Sequence, residues 1–266
     1  MNPNAFRQLM KEAYITSQMS CVLYGGQKQL RLLAVAHKCD FRYFEIGNVR
    51  AGALIFDDVV YLVVCGTDDL HDWITNLSAR QTLMNFFVVH EGFYEAWKLL
   101  QRDILPSDIR GAFEGKRLIL GGHSSGGCVA QLLSLSPDFE PSAIYTFGSP
   151  RVFSDKSASV YAAYPWKTFR FVMDGDPVPK LPLRKFLKLF AGAKYGHTSA
   201  ALVLKEDGEV LSDRSQTVVG KTLMAAKAFA FYGVTIFSSV IPEVVKAHRS
   251  TRYRDAIETH LAKNNA

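Results

Sequence analysis

The sequence predicts an α/β fold with a mostly parallel central sheet flanked by helices, and three observations lead to it. Two short apolar runs, residues 118–121 and 143–147, bracket a small-residue helical stretch at 125–135. Strand, helix and strand in that order make the crossover of a parallel sheet. Between the first run and the helix stands Gly122-His123-Ser124-Ser125-Gly126, a serine with glycines two residues to either side. That spacing suits a nucleophile held on a tight strand-to-helix turn, where the glycines let the neighbouring chain approach. Upstream, three strand-like runs at 41–46, 51–56 and 59–64 are separated by Asn48 and by Asp57-Asp58. They read as an antiparallel meander that opens the sheet.

The remaining elements follow in order. Residues 4–19 place Phe6, Leu9, Met10, Ala13 and Tyr14 on one helical face, and Leu30, Leu33, Ala34 and His37 continue a second stripe after the Gly25-Gly26 break. Residues 68–77 read as a short helix with an acidic start, 86–89 as a short strand and 95–102 as a helix. Further on come a helix at 157–164, a strand at 167–173, a hairpin at 200–211 turned at Asp207-Gly208, and a polar helical tail. The apolar segment 223–245 has a longest uncharged run of 15 residues, 228–242. As a helix this reaches about 22 Å, short of a bilayer core, so it reads as a buried core helix, with an acyl-site wall as the next reading. With no repeat or linker in view, one domain over residues 1–266 is expected.

Composition narrows the function classes. The chain is 48% hydrophobic and 21% charged, with a net charge of +6 from 31 basic and 25 acidic residues. That bias is compatible with an anionic lipid surface and too small to argue nucleic-acid binding. Cys21, Cys39, Cys65 and Cys128 lack C-x-x-C spacing, and carboxylates do not cluster, so no metal and no cofactor is expected. Cys65 and Cys128 read as buried thiols. The first residues show neither a basic nor an apolar leader pattern, which points to a cytoplasmic protein, with export by a non-classical route left open. Oligomeric state is not legible.

The chemistry turns on Ser124. A G-x-S-x-G pattern alone recurs by chance in about one chain of this length in ten. A serine hydroxyl is also inert without a base. In sheets of this kind the partners follow in the order Ser, Asp, His. Asp176 follows the strand at 167–173 on a loop stiffened by Pro177 and Pro179, and Asp174 competes from the same loop. Three histidines come later: His197, His248 and His260. An oxyanion hole needs donors near the developing charge, and the backbone N–H of Ser125 is one.

Several ordered segments resemble the class 3 lipases, the fungal-type triacylglycerol lipase family. They are Val63-Val64-Cys65-Gly66-Thr67 with Asp72-Trp73 and Asn76-Leu77, then His90-Glu91-Gly92-Phe93, then Gly122-His123-Ser124-Ser125-Gly126-Gly127. Tyr145-Thr146-Phe147-Gly148-Ser149-Pro150-Arg151-Val152 and Asp176-Pro177-Val178-Pro179 follow. The resemblance implies an α/β-hydrolase fold and a serine carboxylester hydrolase with Ser124 as nucleophile, Asp176 as acid and His248 as base. His248 lies in Ala247-His248-Arg249-Ser250-Thr251-Arg252-Tyr253, similar to the family's catalytic segment, and His197 is the runner-up. His260 reads as a solvated helix residue, His90 as a structural hydrogen-bonder, and His123 as pointing away from the site. Thr67 N–H is implied as the second oxyanion donor, with its hydroxyl as a third. Two departures stand out: Cys65 where the family often has Arg, and Ser125 where it usually has Leu. The resemblance implies a lipid or small-ester substrate, with contact to a membrane or lipid-droplet surface. Residues 70–77 or the basic-apolar stretch 181–194 are the candidate covers. A catalytically silent lipid- or partner-binding protein and an acyltransferase are the alternatives.

Overall fold

Along residues 59–64 the side chains alternate between two apolar cores: Val60, Leu62 and Val64 enter one, while Val59, Tyr61 and Val63 enter the other. A strand buried on both faces belongs inside a sheet covered on each side. Residues 118–120 divide in the same way, Leu118 and Leu120 against Ile119.

The computed structural model describes residues 1–67, 80–104, 111–182, 194–213 and 244–264. In chain order it holds α1 (Pro3–Val22), α2 (Gln27–His37), β1 (Asp40–Ile46), β2 (Val49–Ile55), β3 (Val59–Val64), β4 (Gln81–Met84) and β5 (Phe87–His90). Next come α3 (Glu91–Ile104), β6 (Arg117–His123), α4 (Ser125–Leu133), β7 (Pro141–Phe147), β8 (Phe153–Ser154), α5 (Asp155–Tyr161) and β9 (Lys167–Met173). The last are β10 (Tyr195–Gly196), β11 (Ala201–Leu204), β12 (Val210–Asp213) and α6 (Ser250–Lys263).

The main sheet has eight strands in the order β1-β2-β3-β6-β7-β9-β11-β12. Pairs from β3 through β11 are parallel, and the β1-β2-β3 meander and the β12 edge are antiparallel. This is the predicted α/β-hydrolase arrangement. Carboxyl ends of β3, β6, β7 and β9 therefore lie along one edge, which is where such sheets gather a site. Helices α1 and α6 cover one face through Leu9, Met10, Ala13, Ala256 and Ile257. On the other face α3 and α4 pack together.

The described elements depart from the expectations at several places, each with a local cause. Helix α1 starts at Pro3 because Asn2 caps it, accepting from the Ala5 N–H at 2.7 Å, and proline is pre-set for a first helical position. The single strand expected at 86–89 is a hairpin, β4 and β5, turned at Asn85 with φ 53°. It joins β8 and β10 in a second, four-stranded sheet whose two-residue strands show no periodicity. The segments 70–77 and 223–243, and nearly all of 181–194, lie outside the described residues. Among the described residues no helix is long and apolar enough to cross a membrane.

One buried carboxylate ties α1 to the sheet. Glu12 is 5% exposed and accepts from the Tyr145 hydroxyl at 2.8 Å, Arg117 Nη2 at 3.1 Å and Gln8 Nε2 at 3.0 Å. Removing it leaves the buried Tyr145 hydroxyl without that acceptor. Glu12→Ala is expected to cost about 1–3 kcal/mol in urea unfolding, whereas its exposed neighbour Lys11→Ala stays within about 0.5 kcal/mol.

Candidate active site

The elbow is built by close approach of backbone. Ser124 sits between β6 and α4 at φ 57°, ψ −130°, a left-handed conformation that is costly for a serine. Two bonds hold it there: its N–H donates to Phe147 O at 2.9 Å, and its carbonyl accepts from the Gly127 N–H at 3.1 Å. A Cβ at Gly122 would fall on the carbonyl of Gly126, and one at Gly126 would fall on the carbonyl of Val64. The two glycines thus let β6, the helix and β3 meet. Gly66 packs against the elbow in turn, its would-be Cβ 3.1 Å from Ser124 Cβ.

Asp176 and His248, separated by 72 residues, meet beside it. Asp176 is 1% exposed, and its carboxylate is met by three donors. Val178 N–H reaches Oδ1 at 2.9 Å, while His248 Nδ1 and the Tyr253 hydroxyl reach Oδ2 at 2.6 and 2.5 Å. A carboxylate only accepts, so neutral His248 carries its proton on Nδ1 and leaves a lone pair on Nε2. Burial, then the Asp176 charge, push the Tyr253 phenol well above its ordinary pKa, so it stays a donor. Gly148, at φ +63°, makes room for the pair: a Cβ there would stand 2.6 Å from His248 Cε1 and 2.9 Å from Nδ1. Asp174, the competing acid, is exposed.

His248 Nε2 and Ser124 Oγ are both buried, and among the described residues neither has a hydrogen-bond partner. Buried polar atoms are nearly always bonded, so each of these two atoms is left with bonding that a reactant could complete. His248 is placed by a short helical turn at 244–247, its N–H donating to Val244 O at 3.0 Å.

His123 does not point away. Its ring lies 4.5 Å from that of His248, centroid to centroid, and its Nε2 donates to the His248 carbonyl at 2.7 Å. This fixes the tautomer, leaving Nδ1 to accept from the Tyr24 hydroxyl at 2.9 Å. Burial, then the His248 charge, hold the His123 pKa well below its ordinary value, so the ring stays neutral beside its neighbour. No spacing in the sequence signals this clamp, because Tyr24, His123 and His248 come from distant segments.

On the other side, Thr67 N–H donates to Ser125 Oγ at 3.2 Å, and the two hydroxyl oxygens are 3.1 Å apart. A cavity of about 320 Å³ opens here, with Thr67 and Ser125 in its wall beside Val49, Phe93, Leu99 and Val129. Cys65 also lines it, and burial pushes its thiol up to about 12.

His197, His90 and His260 are structural in their contacts. His197 Nε2 donates to Pro179 O at 2.6 Å and so holds the loop that presents Asp176. Arg151 binds the same loop through the carbonyls of Lys180 and Pro182. His90 Nδ1 accepts from the Gly92 N–H at 3.1 Å. His260, expected to be solvated, is half-buried and donates to Gly208 O at 2.9 Å.

Residues 61–186 match the family described as Lipase (class 3). Secreted mono- and diacylglycerol lipase 1 of Fusarium solani is 33% identical over 166 residues, 60% of this chain and 47% of that protein. Secreted mono- and diacylglycerol lipase A of Penicillium cyclopium is 30% identical over 198 residues, 70% of this chain and 64% of that protein. The matched stretches thus span about half to two thirds of these relatives' lengths. Rhizomucor miehei triacylglyceride lipase shares the fold, with a TM-score of 0.67 at 17% identity over 98% of each chain. The two sequence relatives are named as secreted proteins, which overturns the cytoplasmic location expected from the first residues. A leader is removed in processing and leaves no mark on a folded domain, so those residues do not report location.

The neutral, buried His123 makes stability depend on pH. Below about pH 6.5 the unfolded imidazole takes up a proton that the folded one refuses, so stability falls as pH falls. The loss is about 1.4 kcal/mol per pH unit until the folded pKa is reached. Urea unfolding of His123→Gln beside the unsubstituted protein is expected to show their stability gap narrowing as pH falls from 7 to 5. A constant gap would mean that the folded ring takes up its proton as readily as the unfolded one.

Proposed function

The chain belongs to the class 3 lipase family, and we propose that it is a serine carboxylester hydrolase acting on lipid esters of the acylglycerol type. The observation that carries the reading is that Ser124 Oγ and His248 Nε2 are buried with no hydrogen-bond partner among the described residues, while Asp176 holds the other ring nitrogen of His248. With Nδ1–H held by Asp176, the free Nε2 lone pair is the base. Ser124 Oγ attacks the ester carbonyl carbon as His248 Nε2 takes its proton, and Asp176 stabilises the imidazolium that forms. His248 then gives that proton to the departing alcohol, leaving an acyl-enzyme. Water attacks the acyl carbon with the same base, and the fatty acid leaves as Ser124 recovers its proton. The backbone N–H groups of Ser125 and Thr67 receive the oxyanion, and loss of one such donor lowers turnover by about 10²–10³. Residues of this chain supply every step, and no cofactor enters the route.

The apolar wall of the cavity beside Thr67 and Ser125 suits an acyl chain, and the names of the relatives support mono- and diacylglycerols as substrates. Contact with a membrane or lipid-droplet surface belongs to the same reading, as does a single domain carrying the whole site.

A fluorophosphonate probe is expected to label Ser124 in the folded protein and to leave Ser124→Ala unlabelled. With p-nitrophenyl esters, His248→Ala is expected to lower turnover by about 10³ or more, whereas His197→Ala keeps a substantial part. A folded protein that the probe fails to label at Ser124 would be a binding protein rather than a hydrolase.

A further inference from the structure

Ser125 follows the candidate nucleophile, and its side chain makes contacts that its backbone role does not require. Its Oγ accepts the Thr67 N–H at 3.2 Å and lies 3.1 Å from Thr67 Oγ1. An N–H can only donate, so that lone pair of Ser125 is committed. Between the two hydroxyls either oxygen can be the donor, and in one order Ser125 gives its proton to Thr67 Oγ1. In this order the Thr67 hydroxyl proton has no acceptor in the pair and is free for a third atom.

We propose that Ser125 is a positioning residue of the oxyanion hole: its hydroxyl sets the Thr67 hydroxyl as a donor. The proposal rests on the hydrolase reading. Before charge develops, Ser125 Oγ and a neutral ester carbonyl compete on similar terms for the Thr67 N–H. The present bond, at 3.2 Å, is at the long end of the range and easily exchanged. Once the carbonyl oxygen becomes an anion it wins that donor, because charge-assisted hydrogen bonds are roughly twice as strong as neutral ones. The Ser125 hydroxyl keeps donating to Thr67 Oγ1, whose own proton points to the anion, and each bond polarises the next. The benefit is thus confined to the transition state, so it acts on kcat and leaves KM alone.

The test uses Ser125→Ala, Ser125→Thr, Thr67→Val and the double variant Ser125→Ala/Thr67→Val, with a short p-nitrophenyl ester. Rates are counted per active site by fluorophosphonate titration of Ser124. Ser125→Ala is expected to lower kcat about ten-fold, the size of one neutral hydrogen bond, with KM within about two-fold. Ser125→Thr, which keeps the hydroxyl, restores kcat. Adding Ser125→Ala to Thr67→Val costs nothing further, because the group it acts through is already gone. Should the alanine variant fail to fold, Ser125→Gly removes the same hydroxyl and reports the same loss. Unchanged kcat in Ser125→Ala, failure of threonine to restore it, or multiplying losses in the double variant would overturn the proposal while Ser124-dependent turnover left the hydrolase reading standing. No Ser124-dependent turnover in the unsubstituted protein would overturn both.

Discussion

A carboxylate taken out of water must be met by hydrogen bonds, and Asp176 is met by three donors from two stretches of chain. Val178 belongs to its own loop, His248 follows the turn at 244–247, and Tyr253 stands in the first turns of α6. The five-residue spacing of His248 and Tyr253 lets one short segment place both donors on one carboxylate oxygen. The fold around it serves this demand. Parallel strands deliver the Asp176 loop and the Ser124 elbow to the same edge, and Gly148 leaves space for the imidazole.

The imidazole is held from two further directions. His123 binds the His248 carbonyl and packs on its ring, and burial keeps His123 neutral, so a charge arising on His248 meets no second cation there. His123 also adjoins Ser124 in sequence, so nucleophile and base are positioned through one residue. The left-handed backbone of Ser124 is part of the same construction. Strain of this kind persists only where surroundings over-determine it, as the bonds to Phe147 and Gly127 and the packing of Gly122 and Gly126 do here.

Much of this was legible in the residues. Alternating or continuous apolar runs marked the meander and the parallel strands, because burial on a pleated surface leaves that pattern. The elbow and acid loop were legible for a different reason: tight turns demand glycine and proline at fixed offsets. The choice between Asp176 and Asp174 rested on the family resemblance, and in the fold Asp176 is buried on His248 while Asp174 is exposed. The clamp of Tyr24 and His123, the anchoring of Asp176 by Tyr253, the burial of Glu12 and the second sheet were not read. They depend on contacts between residues far apart in sequence or on strands of two to four residues, where no period can develop. Ser125 was read for its backbone alone, since nothing in a sequence shows where a hydroxyl turns.

The central claim is that Ser124, His248 and Asp176 act as one acyl-transfer unit. Ester hydrolysis measured for Ser124→Ala, for His248→Ala and for the two combined tests it most directly. Groups acting as a unit fail together, so each single variant is expected to lose about as much as the pair. Losses that multiply in the combined variant would contradict the account, because they would mean that serine and histidine contribute independently.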